Sequence, residues 1–196
     1  RMNEPYNVFQ NNVMGFPMPA HRRLEAWVTW VGHNRAGYET VVNRVHQSED
    51  LLFYCLDGGG EYGLGPIAGD IRPGTMLFLP QGIPHTLKNT IAPWEAMYIH
   101  MGGAYAEKLA RDLGFTKKRP ARQIGIIPGV VERFKTLYEV VERKNFGYEY
   151  DAMLGLIALL VEIRKNFVDQ MFTESAMLDS RSEERRVGKE CRSRWS

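Results

Sequence analysis

Three histidines, one arginine and two large aromatics could act together in this 196-residue chain. His85 follows Gly74-Thr-Met-Leu-Phe-Leu-Pro-Gln-Gly-Ile-Pro, an apolar strand (Met76 to Leu79) and a Pro-Gln-Gly turn, so it opens the next strand. Arg44 and His46 flank Val45 at the end of a β-branched run. From Trp94 to Met101, period-two alternation puts Trp94, Ala96, Tyr98 and His100 on one face, and Glu95, Met97, Ile99 and Met101 on the other. A guanidinium offers a fixed fork of donors to carboxylates, sugar hydroxyls or phosphates. Aromatic platforms with hydrogen-bonding tips suit a small polar ligand. The candidate ligand-binding set is therefore Arg44, His46, His85, Trp94, Tyr98 and His100. Plainer readings stand beside it: His85 as a structural histidine bonded near its turn, and Trp94 and Tyr98 as filling for a small core. No competing machinery is visible. The chain has no Gly-x-Ser-x-Gly elbow, no phosphate-cradling loop with Lys and Ser/Thr, and no Cys-x-x-Cys.

Short strands with Gly/Pro punctuation must position these groups. Strand-like runs cover Leu24 to Val31, Tyr38 to Val45 and Leu51 to Leu56. Asp57-Gly58-Gly59-Gly60 reads as a hairpin turn, with Glu61 to Leu64 returning from it. Gly69 to Ile71, Met76 to Leu79, His85 to Lys88 and Trp94 to Met101 complete the series. Such spacing means a sandwich or barrel rather than a βαβ fold. Before it, residues 1–20 are Asn- and Pro-rich and read as an irregular arm, either loosely packed or folded over a ligand. After Gly102-Gly103 the pattern turns helical: Ala104 to Leu113, Val130 to Lys144, and Tyr148 to Asp169. In the last of these, Leu154, Ile157, Val161, Arg164 and Val168 are heptad-like. This stripe is either packed on its own barrel or the seam of a two-helix dimer, with Leu154, Ile157, Val161 and Arg164 as candidate dimerisation residues. The expected organisation is an arm (1–20), a barrel (21–103), a helical dimerisation segment (104–175) and a tail foreign to the protein (181–196).

That tail, Arg-Ser-Glu-Glu-Arg-Arg-Val-Gly-Lys-Glu-Cys-Arg-Ser-Arg-Trp-Ser, resembles the in-frame translation of a short-read sequencing adapter. A natural basic tail that touches nucleic acid is the alternative. Without it the chain holds 19 Lys/Arg and 20 Asp/Glu, so the formal charge of +2 says nothing about a nucleic-acid partner. Cys55 is then the only thiol, which excludes a disulfide framework and a metal-thiolate site. With no run of 18 apolar residues and no leader pattern, the expectation is a cytoplasmic protein without a membrane partner.

Gly74, Pro80, Gly82, His85 and Asn89 have the spacing G-x5-P-x-G-x2-H-x3-N, which resembles the second sequence motif of the cupin barrels. The resemblance implies a mainly β, cupin-like (double-stranded β-helix, jelly-roll) barrel followed by two to three α-helices. Cupin enzymes hold a metal through a His-x-His pair and a Glu in the first motif and the His of the second. Counting back from Gly58, the Glu falls on Leu51 and the His pair on Arg44 and His46. Two donors of four remain beside a cation, so no metal cofactor and no catalytic residue is expected.

The stretch Asp50 to Met101 is also similar to the ligand-binding domain of AraC-family transcriptional regulators. It carries Leu-Phe-Tyr-Cys-Leu-Asp-Gly-Gly-Gly-Glu-Tyr, Arg-Pro-Gly-Thr-Met-Leu-Phe-Leu-Pro-Gln-Gly-Ile-Pro-His and Pro-Trp-Glu-Ala-Met-Tyr-Ile-His-Met. This resemblance implies a sensor for a small polar effector (a sugar or small acid) and a homodimer formed through the helix after Tyr148. DNA contact would come only through a helix-turn-helix domain absent from this chain. Arg44 and Tyr98 match the family's sugar-contacting arginine and stacking aromatic, whereas Ala96 stands where the arabinose-responsive member has a pocket histidine. The competing expectation is a freestanding metal-dependent cupin enzyme, an isomerase or dioxygenase.

Overall fold

The computed structural model describes residues 9–14, 24–37 and 40–167. Residues 1–8, 15–23, 38–39 and 168–196 lie outside the described residues, and with them Val168 and the whole of the 181–196 tail. Among the described residues the strands are β1 (Phe9–Met14), β2 (Trp27–Ala36), β3 (Val41–Arg44), β4 (Asp50–Leu64), β5 (Ile67–Ile71), β6 (Thr75–Leu79), β7 (His85–Gly102) and β8 (Ala121–Gln123). The helices are α1 (Ala104–Asp112), α2 (Pro128–Arg143) and α3 (148–167). The fold is mainly β with three helices, as the sequence implies.

All pairing is antiparallel and centres on two long strands, β4 and β7, which run together over most of their length. Beyond their middle they acquire different neighbours. The first half of β4 and the second half of β7 continue one wall, in the order β1-β2-β7-β4-β6-β8. The second half of β4 and the first half of β7 carry β5 and β3 on the other wall. The inward face changes parity along both strands. In β4 the barrel core takes Leu51, Phe53 and Cys55, then Tyr62 and Leu64. In β7 it takes Leu87, then Trp94 and Ala96. Register shifts at Cys55/Asp57, Asp57/Gly59 and Gly59/Gly60 absorb the change.

This overturns the expected hairpin at Asp57 to Gly60, because the chain passes through the glycines without reversing and turns only after Leu64. Side chains are excluded here for a steric reason. Gly58 has φ 69°, and a Cβ there would meet the Pro93 carbonyl; a Cβ on Gly60 would meet that of Lys88. The same bend joins the two strands expected at 85–88 and 94–101 into one. Two further expectations change. The arm is not wholly irregular, since β1 lies on β2 in regular register from Phe9↔Arg35 to Met14↔Trp30. The 104–175 segment is not wholly helical, since β8 pairs with β6.

The outer face of the larger wall packs on the helices. Leu52, Tyr54, Met76, Phe78, Met97, Ile99 and Met101 meet Ala106, Ala110, Val130, Phe134, Leu137 and Val141, together with Ala152, Leu156, Leu159, Leu160, Ile163 and Phe167 of α3. Tyr54 ties the layers together: its hydroxyl donates to Gly125 O (2.6 Å) and accepts from Ile127 N (2.9 Å), and its ring stacks on Phe134. Among the described residues no helix is long and apolar enough to cross a membrane.

The bend is directly testable. Gly60→Ala forces a methyl against backbone that cannot retreat, and urea unfolding should show a loss of about 2 kcal/mol or more.

Candidate functional site

The two walls enclose a cavity of about 620 Å³, within the range usual for small-molecule sites. Pairing across β2, β7 and β4 lines it in ranks: Trp30, His100 and Leu51; then Tyr98 and Phe53; then Asn34 and Ala96. From the other wall, β3 sets Arg44 directly opposite His85 and Val42 opposite Leu87. All six residues singled out from the sequence, Arg44, His46, His85, Trp94, Tyr98 and His100, line this one cavity. Arg44 and His46 are exposed at its mouth, while His85 and Trp94 are buried. Leu51, where the cupin pattern has a carboxylate ligand, presents a buried apolar side chain to the cavity beside His100.

The most informative group is His85. It is 2% exposed, and both of its ring nitrogens are buried without a hydrogen-bond partner. Burial lowers its pKa, and the nearby Arg44 charge adds to this; the Ile83 carbonyl, near the ring but outside hydrogen-bonding geometry, opposes it in part. His100 goes further, down to about 4, through burial, the Arg44 charge and His85. Both imidazoles are therefore neutral at pH 7. His100 Nδ1 accepts from Gln47 Nε2 at 3.2 Å, which leaves its proton on Nε2. Glu49 Oε2, 3.7 Å from the same nitrogen, is a neighbour of a neutral ring rather than an ion-pair partner.

Tyr98 links the cavity to the N-terminal strand. Its hydroxyl donates to Asn12 Oδ1 of β1 (2.5 Å) and accepts from Asn34 Nδ2 of β2 (3.2 Å). Trp94 packs against Phe53 with ring centroids 5.6 Å apart, and its buried Nε1 has no hydrogen bond of normal geometry and faces the Cys55 thiol. Several lining residues escaped the sequence reading, among them Gln10, Asn12, Trp30, Asn34, Gln47, Glu49 and Phe53. The alternation of Trp30, Gly32, Asn34 and Ala36 carried a readable signal, whereas the short segment Gln47 to Glu49 carried none.

Glu95 faces outward, where it meets Arg35 and lies 2.8 Å from His33 Nε2. Among the described residues, no three His, Cys, Asp or Glu side chains converge closely enough to hold a metal ion. The Cys55 thiol is pushed up to about 11, chiefly by burial, so it is not a nucleophile at neutral pH.

A jelly-roll barrel with a half-apolar cavity and unpaired buried donors is a small-molecule-binding module. Residues 34–179 match the AraC-like ligand binding domain, and the chain belongs to that family. No curated protein sequence matches the chain. Among solved structures, a variant of oxalate decarboxylase from Bacillus subtilis is 16% identical, with a TM-score of 0.38 over 56% of this chain and 33% of that one. YhaK from Escherichia coli is 17% identical, with a TM-score of 0.39 over 49% and 44% of the two chains. A protein of unknown function from Rhizobium leguminosarum is 16% identical, with a TM-score of 0.34 over 37% and 68%. Likeness at this level carries no further argument.

Protonation of His100 gives the site a pH signature. Its folded value, about 4, lies below the ordinary 6.5, so the unfolded chain binds more protons between those values. Its contribution to stability is full above pH 6.5 and is lost as pH falls toward 4. Urea midpoints measured from pH 7.5 to 4.5 should fall less steeply for His100→Gln than for the unaltered protein.

Proposed function

We propose that this chain is the effector-binding and dimerisation part of an AraC-type transcriptional regulator and not an enzyme. The observation that carries the reading is His85, buried with both ring nitrogens unpaired, in a cavity whose mouth holds Arg44. Leaving a buried polar group unsatisfied costs about 1–3 kcal/mol, a cost that a bound effector relieves. Arg44, His85 and Tyr98 hold the small molecule, with His46, Trp94 and His100 completing the walls. The mechanism is a population shift. The Asn12–Tyr98 hydrogen bond makes the position of β1 sensitive to what occupies the cavity. Occupancy thereby favours one arrangement of N-terminal strand, barrel and helices, and changes how two DNA-binding domains are spaced in a cytoplasmic homodimer.

The dimer reading draws on α3. Its inward residues are committed to the core, yet Leu154 is 60% and Val161 38% exposed, with Ile157 half-buried between them and Arg164 exposed at the end of the stripe. An outward apolar stripe on a helix that already has a packed face suits a second copy of the helix.

Isothermal titration against a panel of sugars and small acids should yield an effector. Arg44→Ala should weaken its binding about tenfold or more, equivalent to 1.4 kcal/mol. An unchanged affinity removes Arg44 from the site. Separately, sizing chromatography should show a dimer that becomes a monomer when Leu154 and Val161 are both changed to Glu. A dimer that survives both changes rules that surface out.

A further inference from the structure

We infer that the effector is a monocarboxylate with an apolar body, its carboxylate held between Arg44 and His85 and its body lying against Leu51, Phe53 and Leu87. This rests on the cavity being an effector site and adds the chemical class of what fills it.

The cavity holds a strong donor pair with carbon beside it: Arg44 and His85 neighbour Val42 and Leu87 in the β3–β7 pairing, while Gln10, Asn12, Thr29 and Asn34 line the side formed by β1 and β2. Arg44 and His85 face each other across the β3–β7 pairing, and among the described residues no carboxylate lies within ion-pair distance of Arg44. His85 carries a ring N–H that no protein acceptor takes in hydrogen-bonding geometry, and a small turn of the buried ring toward the cavity brings it to a ligand. A carboxylate accepts from both groups at once, through the guanidinium fork and through the second oxygen. The β3, β4 and β7 strands also give the cavity carbon, from Val42, Leu51, Phe53, Leu87 and Ala96. A sugar carries hydroxyls around its whole circumference, and those turned toward these residues would be left without partners. A carboxylate with a hydrocarbon body places its polarity at one end only and its carbon against these residues. A cationic amine fits worst, because Arg44 repels it and both imidazoles are already biased toward neutrality by that same charge.

Glu49, the one acid in the cavity wall among the described residues, sharpens the test. Glu49 lies near His100 and would repel an anionic ligand while attracting a cationic one. Phenylacetate, phenylacetamide and phenethylamine share a body and differ in charge, and L-arabinose and D-glucose represent the sugars. Calorimetric titration of the unaltered protein should give phenylacetate at least about tenfold tighter than phenylacetamide, with no phenethylamine binding. Arg44→Gln at the exposed mouth should remove that preference, and Glu49→Gln should tighten phenylacetate. His85→Gln should weaken phenylacetate, with circular dichroism and the urea midpoint checking that this buried change leaves the fold intact. Sugar binding without carboxylate binding, or a preference for phenethylamine that Glu49→Gln abolishes, overturns the carboxylate assignment and leaves the effector site standing. Failure of every probe, charged or neutral, overturns both.

Discussion

The molecule turns on the double bend that β4 and β7 make together. One continuous sheet cannot enclose a cavity unless its longest strands change which face they show to the interior. Both do so at the same level, where Gly58 to Gly60 run beside Lys88 to Pro93. Backbone passes so close to backbone there that no side chain can stand between, and the extra residues of the bulge shift parity from odd to even. Everything functional follows from this. Without the shift, His85 and His100, fifteen positions apart on one strand and of opposite parity, would point to opposite faces; with it, both face the cavity.

Arg44 governs the chemistry that the bend encloses. It is the charge that both histidines feel, and with burial it keeps them neutral. A neutral imidazole without partners, as His85 is, is destabilising inside a protein, and the fold tolerates it here because inner and outer cores pack around it. Inner and outer cores flank the larger wall on both faces, and Tyr54 couples that wall to the start of α2. Local conflicts of this kind are the ones expected at functional sites rather than in cores selected for stability alone. Leu51 adds a buried apolar surface to the cavity wall opposite His100.

The helices show how one element serves two packing roles. α3 is apolar around much of its circumference, and its heptad-like stripe does not coincide with its core face. Ala152, Leu156, Leu159 and Ile163 point to the barrel, while Leu154 and Val161 point away. Periodicity alone could not separate these faces, because a helix with two apolar sides satisfies both patterns at once.

Local physics made much of the molecule legible. Strand alternation from Trp94 to His100 needs only the pleat, and it correctly grouped four side chains on the cavity face; the Gly74–Asn89 spacing marked the barrel and the entry of His85. What local physics could not supply was partnership. A glycine run signals a turn whether the chain reverses or merely squeezes past a neighbour, and only the carbonyls of Lys88 and Pro93, some thirty residues away, decide between the two. The N-terminal arm looked irregular because its Asn- and Gln-containing stretch has weak strand propensity; the unpaired edge of β2 makes it a strand. Arg44 and His85 are individually visible in the sequence, but their facing each other is a fact of the register between β3 and β7. Sequence determined which groups were available and which face of each strand they shared, because those depend on bonded neighbours. Tertiary structure alone decided which groups met, which stayed unpaired and which lost their charge, because those depend on distance through space and exclusion of water.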